Sequence, residues 1–277
     1  MRGPCGASAI PGHRIDLAQN DNLPLTRKLA GLVALTRTEA AVLRSFQANP
    51  RRIARHREIV VEGREYDGLL VLLDGIALRY RLLHDGRCQI LNFVLPGDFI
   101  GFPGCFFDKA LYSISTLVDC TVSPVPFARF PALFETHARL AAVIFWSLSC
   151  EAAMYAEHLI DIGRRSAFER VAHFLLEMLT RLQRIGLADA ASYRLPLTQE
   201  LLADALGLSA QYVNQTLRQL REQGLATVER QRVTILDFER LAALADFERT
   251  YIDRFRSAEF SAGNWAAAAT PAPDRTA

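Results

Sequence analysis

The feature that most constrains the fold of this chain is residues 198–236, where two short helices precede two short strands. Thr198 is a predicted N-cap, and Gly207 interrupts the helical pattern where a positive φ is favoured. Ser209 is a second predicted N-cap, so that a second helix follows over residues 210–223. Two helices joined at this spacing predict a helix-turn-helix.

The segment after the helix pair predicts a β-hairpin. Residues 225–228 and 233–236 are short apolar-rich stretches on either side of a polar turn at 229–232. A hairpin directly after a helix-turn-helix is typical of a winged helix, in which the second helix lies in the major groove of DNA. The sequence therefore predicts double-stranded DNA as a partner.

Polar side chains on the predicted outer face of the second helix are the candidate DNA contacts. Amides and hydroxyls hydrogen-bond base edges, while arginines and helix N-caps contact phosphates. The predicted base readers are Gln211, Tyr212, Asn214 and Gln215. The predicted phosphate contacts are Thr198, Ser209, Arg218, Arg230 and Arg232. The predicted buried face is Val213, Leu217 and Leu220.

Charge does not by itself indicate a nucleic-acid partner. The net charge of the 277-residue chain is +2. Residues 196–250 contain six Arg and eight Asp or Glu, which gives that segment a net charge of −2. The alternatives are therefore an ordinary helical hairpin in a core, or an interaction module that keeps this fold and has lost DNA binding.

Residues 25–135 predict a β-rich domain. After a helical pattern over 27–50, short apolar segments alternate with turns that favour hairpins. Those turns contain Asp74-Gly75, Asp85-Gly86 and Pro96-Gly97. Several such strands in succession predict a β-roll or barrel. The chain ends, residues 1–24 and 251–277, lack periodicity and predict a disordered arm and a disordered tail.

A heptad spacing over residues 136–163 predicts one long helix. Apolar positions recur at intervals of four and three, which is typical of a helix that pairs with a second copy. The predicted dimer seam is Ala141, Phe145, Leu148, Ala152, Tyr155, Leu159 and Ile162. Packing of this helix on its own domain is the alternative. Residues 164–250 then form the winged-helix domain.

The sequence favours a cytoplasmic regulator over a membrane protein or an enzyme. It contains neither a long uncharged apolar run nor the apolar core of a secretory signal. A cupin-like enzyme on the roll, the catalytic alternative, would need a metal-binding His-x-His, and a hydrolase would need Gly-x-Ser-x-Gly; neither motif occurs. The five cysteines form no CxxC pair and predict reduced, mostly buried thiols.

In this order the elements resemble the Crp/Fnr family of bacterial regulators. The resemblance covers residues 27–250 and rests on two blocks, NFVLPGDFIG at 92–101 and LTQELLADALGLS at 197–209. It implies an α+β fold with an N-terminal cyclic-nucleotide-binding-like β-roll, a long dimerisation helix and a C-terminal winged helix-turn-helix. It also implies a homodimer on an inverted-repeat promoter site, with RNA polymerase as a partner if the protein activates transcription.

The chain departs from this family where its effectors bind. Nucleotide-binding relatives carry a glutamate just after the position of Gly101 and an arginine near that of Ala110. Here residues 101–107 read GFPGCFF, and no arginine lies between Arg87 and Arg129. Cyclic AMP is therefore not expected to be the effector, with Lys109 as the alternative cation.

Other cofactors and the operator do not carry over from the family either. Oxygen-sensing relatives hold an iron–sulfur cluster on closely spaced N-terminal cysteines, whereas only Cys5 lies there, so that no cluster is expected. A haem role stays open, since several histidines are scattered along the chain. Relatives often carry Glu and Arg where this chain has Gln211 and Gln215, so the operator sequence is not implied.

Overall fold

A computed structural model describes residues 23–66, 68–102 and 106–253. The helical pattern over 27–50 is not one helix but two, α1 (Pro24–Ala30) and α2 (Arg37–Phe46). Thr36 begins α2 with a capping box, in which its hydroxyl accepts a hydrogen bond from Glu39 N and the Glu39 carboxylate accepts one from Thr36 N at 2.8 Å. This local capping fixes the start of α2 and separates it from α1.

Two four-stranded antiparallel sheets form the β-roll. In order across the first sheet lie β1 (Arg51–Ile53), β8 (Cys120–Val125), β3 (Leu69–Asp74) and β6 (Phe99–Ile100). In order across the second lie β2 (Glu58–Val60), β7 (Ser113–Thr116), β4 (Ala77–Leu82) and β5 (Cys88–Val94). The strands β1 and β6 contain only three and two residues, so the alternation of apolar and polar positions is too short to predict them from the sequence.

Gly75 shows why one of the predicted turns needs glycine. It lies between β3 and β4 with φ at 91°. A Cβ atom there would lie 2.5 Å from the Asp119 carbonyl oxygen. The Asp-Gly pair therefore brings the two sheets together at a point that only glycine allows.

A long helix crosses the roll. The short α3 (Arg129–Thr136) ends at His137, and α4 (Ala138–Gly163) follows as one continuous helix of 26 residues. The inner face of α4 packs into a core formed with α1, α2 and the roll. Although α4 has the length and apolarity of a membrane-crossing helix, this inner face is buried in the protein's own core.

The C-terminal part forms a second αβ unit. It contains α5 (Ala167–Arg184), β9 (Ser192–Arg194), α6 (Gln199–Leu206), α7 (Ala210–Glu222), β10 (Ala226–Glu229), β11 (Arg232–Ile235), α8 (Phe238–Ala245) and α9 (Thr250–Asp253). The three strands form an antiparallel sheet in the order β10-β11-β9. The sequence analysis predicted a two-stranded wing, and the structure adds a third strand, β9, which pairs with β11.

The C-terminal unit packs directly on the roll. Buried side chains of β4 and β5 share one apolar core with those of α5, including Leu78, Phe93 and Phe174. Arg181 of α5 donates hydrogen bonds to Asn92 Oδ1 at 2.9 Å and to the Phe93 carbonyl at 2.6 Å. Apolar burial and a buried arginine together hold this unit against the second sheet.

The predicted ends of the chain lie almost entirely outside the described residues. Of the predicted arm, residues 23 and 24 are described, and Pro24 is the first residue of α1. Of the predicted tail, residues 251–253 are described and belong to α9. Cys5 and Cys105 also lie outside the described part of the chain.

Candidate nucleic-acid interface

Two side-chain caps position the helix pair. The Thr198 hydroxyl accepts a hydrogen bond from Leu201 N at 3.2 Å, and the Ser209 hydroxyl accepts one from Tyr212 N at 3.3 Å. Gly207 ends α6 in the left-handed conformation with φ at 62°. The predicted helix starts and the predicted turn are therefore those that the structure shows, because each is set by a hydrogen bond or a backbone preference within a few residues.

The two faces of α7 differ sharply in burial. Val213, Thr216 and Leu220 are buried against α5 and α6. Thr216 takes the inner position that was predicted for Leu217, which is only partly buried. The reason is the helix period: Thr216 lies three residues after Val213 and four before Leu220, on the inner side of the turn.

The outer face of α7 carries the predicted base readers. Gln211, Asn214 and Gln215 lie at spacings that place them on one side of the helix, and all three are exposed. Tyr212 is next to them with 60% of its surface exposed. None of these four side chains makes a hydrogen bond within the described residues, so their polar groups are available to a partner.

Arg218 continues this face one turn further along α7. Its exposed guanidinium lies 3.6 Å from the Glu222 carboxylate, at i,i+4 spacing. An exposed pair of this kind contributes little to stability and is readily exchanged for another anion. Arg218 is therefore exposed and held only weakly by Glu222.

The turn of the wing consists of Arg230 and Gln231. Both residues have positive φ, 48° and 63°, and they join β10 to β11 as a two-residue hairpin loop, with Glu229 paired to Arg232. Asn and Gly are the residues usually found in such turns, whereas here Arg and Gln adopt the left-handed backbone conformation. The strained turn presents Arg230 at the tip of the wing.

Arg232, the other predicted phosphate contact of the wing, is turned toward the protein. Its guanidinium donates a hydrogen bond to Ser192 Oγ at 2.7 Å and lies 3.4 Å from an Asp189 carboxylate oxygen. Ser192 belongs to β9, and Asp189 lies just before that strand. Arg232 is still half exposed, but a phosphate would have to compete with Asp189 for it.

The structure corrects the predicted dimer seam of α4. Ala141 and Leu148 are buried in the protomer's own core, and the Tyr155 hydroxyl is bonded to Arg79 of β4. Phe145, Ala152, Leu159 and Ile162 are exposed in the protomer. The predicted seam therefore includes residues from two faces of α4, one buried against the protein's own core and one exposed.

An exposed stripe runs along the opposite side of α4. Its members again recur at intervals of four and three residues. They are Phe145, Ser149, Ala152, Ala156, Leu159 and Gly163. We call these six residues the α4 stripe. Relative to the predicted seam it is rotated around the helix, away from the roll.

Arg79 lies inside the roll, beneath the loop that follows Gly101. Its guanidinium is 3.1 Å from the Glu151 carboxylate, donates to the Phe102 carbonyl at 3.3 Å and lies over the Tyr112 ring at 4.8 Å. Burial would lower the pKa of Arg79, but Glu151 and the neighbouring tyrosines raise it above its usual value. Arg79 was missed from the sequence because it reaches this loop from a strand more than 20 residues earlier.

This arrangement does not fit a cyclic nucleotide. Phe102 packs against the rings of Phe106 and Phe130 at 5.5 and 6.0 Å, where a ribose-binding carboxylate would be needed. Arg79 is already neutralised by Glu151, and Lys109 is exposed. Burying a phosphate without a free cation is costly.

The described cysteines are ordinary packed thiols. Cys88, Cys120 and Cys150 are free. Burial raises the pKa of Cys88 to about 11 and that of Cys120 to about 12. Such thiols are largely protonated and weakly reactive near neutral pH.

Comparisons with known proteins match both halves of the chain. Residues 50–137 match the model of the cyclic nucleotide-binding domain, and residues 169–244 match that of the Crp-like helix-turn-helix domain. The transcriptional activatory protein AadR of Rhodopseudomonas palustris is 35% identical over 181 residues, which are 65% of this chain and 74% of AadR. The nitrogen fixation regulation protein FixK of Bradyrhizobium diazoefficiens is 32% identical over 211 residues, covering 75% of this chain and 87% of FixK.

A solved structure gives the same relationship. That of FixK2 from Bradyrhizobium japonicum superimposes with a TM-score of 0.64 at 28% identity, covering 71% of this chain and 96% of that one. Both halves, their order and the long helix between them are thus accounted for by one family, which confirms the predicted α+β architecture and the predicted resemblance. The chain belongs to the Crp/Fnr family and is a DNA-binding transcription regulator.

Proposed function

We propose that the protein binds an inverted-repeat promoter site as a homodimer, with one α7 in the major groove of each half-site. The observation that carries the proposal is the outer face of α7, whose exposed amides Gln211, Asn214 and Gln215 have no partner within the described chain. Amides of this kind pair with base edges in the major groove. Tyr212 is proposed as a fourth base contact.

The proposed phosphate contacts surround that face. The capped helix starts at Thr198 and Ser209 direct backbone N–H groups outward, which favours anions. Arg218 and the wing-tip Arg230 supply exposed positive charge. Arg232 is proposed as a weaker contact, since Ser192 and Asp189 already bind it.

The α4 stripe is the proposed dimer interface. Phe145 and Leu159 are 60% and 72% exposed, which is unusual for large apolar side chains at the two ends of one helix face. Small residues between them, among them Ala152 and Ala156, allow two helices to approach closely. A twofold axis along the paired helices would set the two α7 helices about 34 Å apart, one turn of DNA.

We propose a division of the chain into three functional parts. We assign residues 25–135 to the roll, 136–163 to the dimerisation helix and 164–250 to DNA binding. AadR carries the name of an activator, which supports activation through contact with RNA polymerase as the proposed mode. We place the protein in the cytoplasm, where its DNA is, and propose a regulatory and not a catalytic role.

Selection of bound DNA from a random pool tests the proposal. The expected result is enrichment of two inverted half-sites whose centres are about one helical turn apart. The net charge of −2 over residues 196–250 also fits an interaction module without DNA binding. Failure to enrich any sequence at low salt would support that module and reject the proposed function.

A further inference from the structure

A cluster of charged side chains joins the end of α4 to α5, and we propose that it is a pH-responsive clamp. In this proposal, protonated His158 holds the C-terminal unit against the roll in the conformation that binds DNA. The inference rests on the proposed function, because it concerns the relative positions of the two α7 helices in a dimer. It adds a regulatory input that needs no small-molecule effector.

The centre of the clamp is the contact between His158 and Glu177. The His158 Nε2 atom of α4 lies 3.0 Å from Glu177 Oε2 of α5. The Glu177 side chain is 1% exposed, whereas that of His158 is 27% exposed. A proton can therefore exchange between water and His158, while its partner carboxylate remains sealed in the interior.

Glu177 also contacts Arg181, and Arg181 in turn contacts the roll. The other Glu177 carboxylate oxygen lies 3.3 Å from the Arg181 guanidinium. That guanidinium binds Asn92 and the Phe93 carbonyl of β5, and it lies 3.6 Å from the Asp98 carboxylate. One buried carboxylate thus links the C-terminal end of α4 to the arginine that holds α5 against the roll.

A second group of charges surrounds this link. Arg165 lies 3.0 Å from the Glu157 carboxylate and 2.8 Å from that of Asp161. The same two carboxylates face the buried His173 ring, at 3.6 and 3.3 Å. The polar and titratable groups around His158 and its partners come from four parts of the protein. From α4 and the turn after it they are Tyr155, Glu157, Asp161 and Arg165, and from α5 they are His173, Glu177 and Arg181. Tyr251 comes from α9, and Asn92 and Asp98 come from the roll.

Charge balance gives the His158 proton a role in the cluster. Four carboxylates, Glu157, Asp161, Glu177 and Asp98, face three permanent cations, Arg165, Arg181 and Lys28. His173 faces Glu157 and Asp161, whereas His158 is the histidine in contact with Glu177. Without the His158 proton the buried Glu177 carboxylate keeps Arg181 as its one cationic contact among the described residues, which weakens the packing of α4 against α5.

The direction of the pH effect follows from the environment of each group. Burial would lower the pKa of His158, but the adjacent Glu177 raises it above its usual value. Burial acts to raise the pKa of Glu177, yet His158 and Arg181 bring it down to about 2, so Glu177 stays ionised near neutral pH. The stabilising contact is thus complete below the pKa of an unfolded histidine, and it is lost as pH rises through the raised pKa of His158.

Docking and DNA affinity are both expected to weaken with rising pH. A loosened C-terminal unit no longer holds the two α7 helices of a dimer at one separation. We expect operator affinity of the full chain to fall about fivefold or more between about pH 6 and about pH 8.5, the lower end of typical couplings between sites.

The experiment measures docking and DNA binding separately on the full chain. Hydrogen exchange of the amides in α5 and β5, corrected for its intrinsic pH dependence, reports docking without DNA. Fluorescence anisotropy with the selected operator reports affinity over the same pH range. The variants are His158→Gln, which is never charged, and His158→Lys, which is always charged, with His84→Gln at an exposed loop position as the control.

The variants should separate cleanly. As pH rises, the wild type and His84→Gln should lose protection from hydrogen exchange and affinity for the operator. His158→Lys should keep both over the whole pH range. His158→Gln should show weak protection and weak operator affinity at every pH. A His158→Gln profile identical to that of the wild type in both measurements would overturn the clamp. Absence of DNA binding at every pH, with exchange still following His158, would reject the proposed function and leave the clamp standing.

Discussion

The guanidinium of Arg79 on β4 and the carboxylate of Glu151 on α4 lie 3.1 Å apart and join the inside of the roll to the middle of the long helix. Both side chains are nearly buried, with exposed fractions of 2% and 11%. The Tyr155 hydroxyl completes the arginine's environment at 2.5 Å. Arg79 also reaches the Phe102 carbonyl, so this ion pair connects the long helix to the loop that follows Gly101.

The first prediction concerns the stability of this ion pair. Arg79→Met should destabilise the protein by about 3–5 kcal/mol, because it leaves the Glu151 charge buried and unpaired. Arg79→Met/Glu151→Leu should recover much of that loss, since neither charge remains. Urea unfolding followed by circular dichroism measures both.

An exposed pair provides the control for that prediction. Arg81 lies 2.6 Å from Glu62, but its side chain is 56% exposed. Arg81→Met should therefore change the free energy of unfolding by less than about 1 kcal/mol. An equal decrease in the free energy of unfolding for Arg79→Met and Arg81→Met would show that the buried pair contributes no more to stability than the exposed one.

The second prediction is that cyclic AMP does not bind at micromolar concentration. The loop after Gly101 offers Phe102 in place of a carboxylate, and Arg79 is held by Glu151. Losing one charge-assisted phosphate contact costs ~1.5–3 kcal/mol, roughly ten- to a hundredfold in affinity. Titration calorimetry beside a cyclic-AMP-binding member of the family measures it. Micromolar binding would contradict our account of the roll.

The third prediction separates the α4 stripe from the seam that the heptad pattern suggested. Ala152→Glu/Leu159→Glu places charge on the exposed stripe, and light scattering should show a folded monomer with weakened operator binding. Leu148→Glu should instead lower the stability of the fold, because Leu148 is 8% exposed and packs in the protomer's own core.

The control for the stripe is Leu244→Glu on α8, where an apolar side chain is 41% exposed outside α4. This variant should keep the mass and operator affinity of the wild type. A dimeric mass for the Ala152→Glu/Leu159→Glu protein would remove the stripe as the interface.

The fourth prediction concerns the bases that α7 reads. Asn and Gln pair with adenine, whereas Arg pairs with guanine. We therefore expect half-sites that depend on A·T pairs. Gln215→Arg should shift one position toward guanine by ~1–3 kcal/mol, as measured by sequencing selected pools. Identical half-site patterns for the wild type and Gln215→Arg would show that Gln215 does not read a base.

Arg218→Ala provides the matched comparison on the same helix face. Because Arg218 is proposed to contact a phosphate, its loss should weaken all sequences alike and reduce the salt dependence of log K by about one contact. Unequal weakening among half-site variants would instead assign Arg218 to base recognition.

The sequence by itself determined the parts of the protein that depend on neighbouring residues. Thr198, Ser209 and Gly207 set the limits of α6 and α7 through hydrogen bonds and a backbone conformation that involve only a few adjacent positions. Of the three predicted hairpin turns, Asp85-Gly86 joins the paired strands β4 and β5. The turns at Asp74-Gly75 and Pro96-Gly97 are present but connect strands of different sheets, so the hairpin prediction was wrong there. The caps and the turns themselves could be predicted because each is decided within one or two turns of chain, whatever the rest of the molecule does.

Tertiary structure alone decided which side of each element faces inward. The heptad pattern of α4 continues around the helix, and only the position of the roll shows that Leu148 is inside and Leu159 outside. Arg79 contacts the Phe102 carbonyl and Arg232 contacts Ser192, across sequence separations that no local pattern encodes. Spacing along a chain fixes the local conformation and the period of a helix, whereas burial and pairing depend on which distant surfaces fold against it.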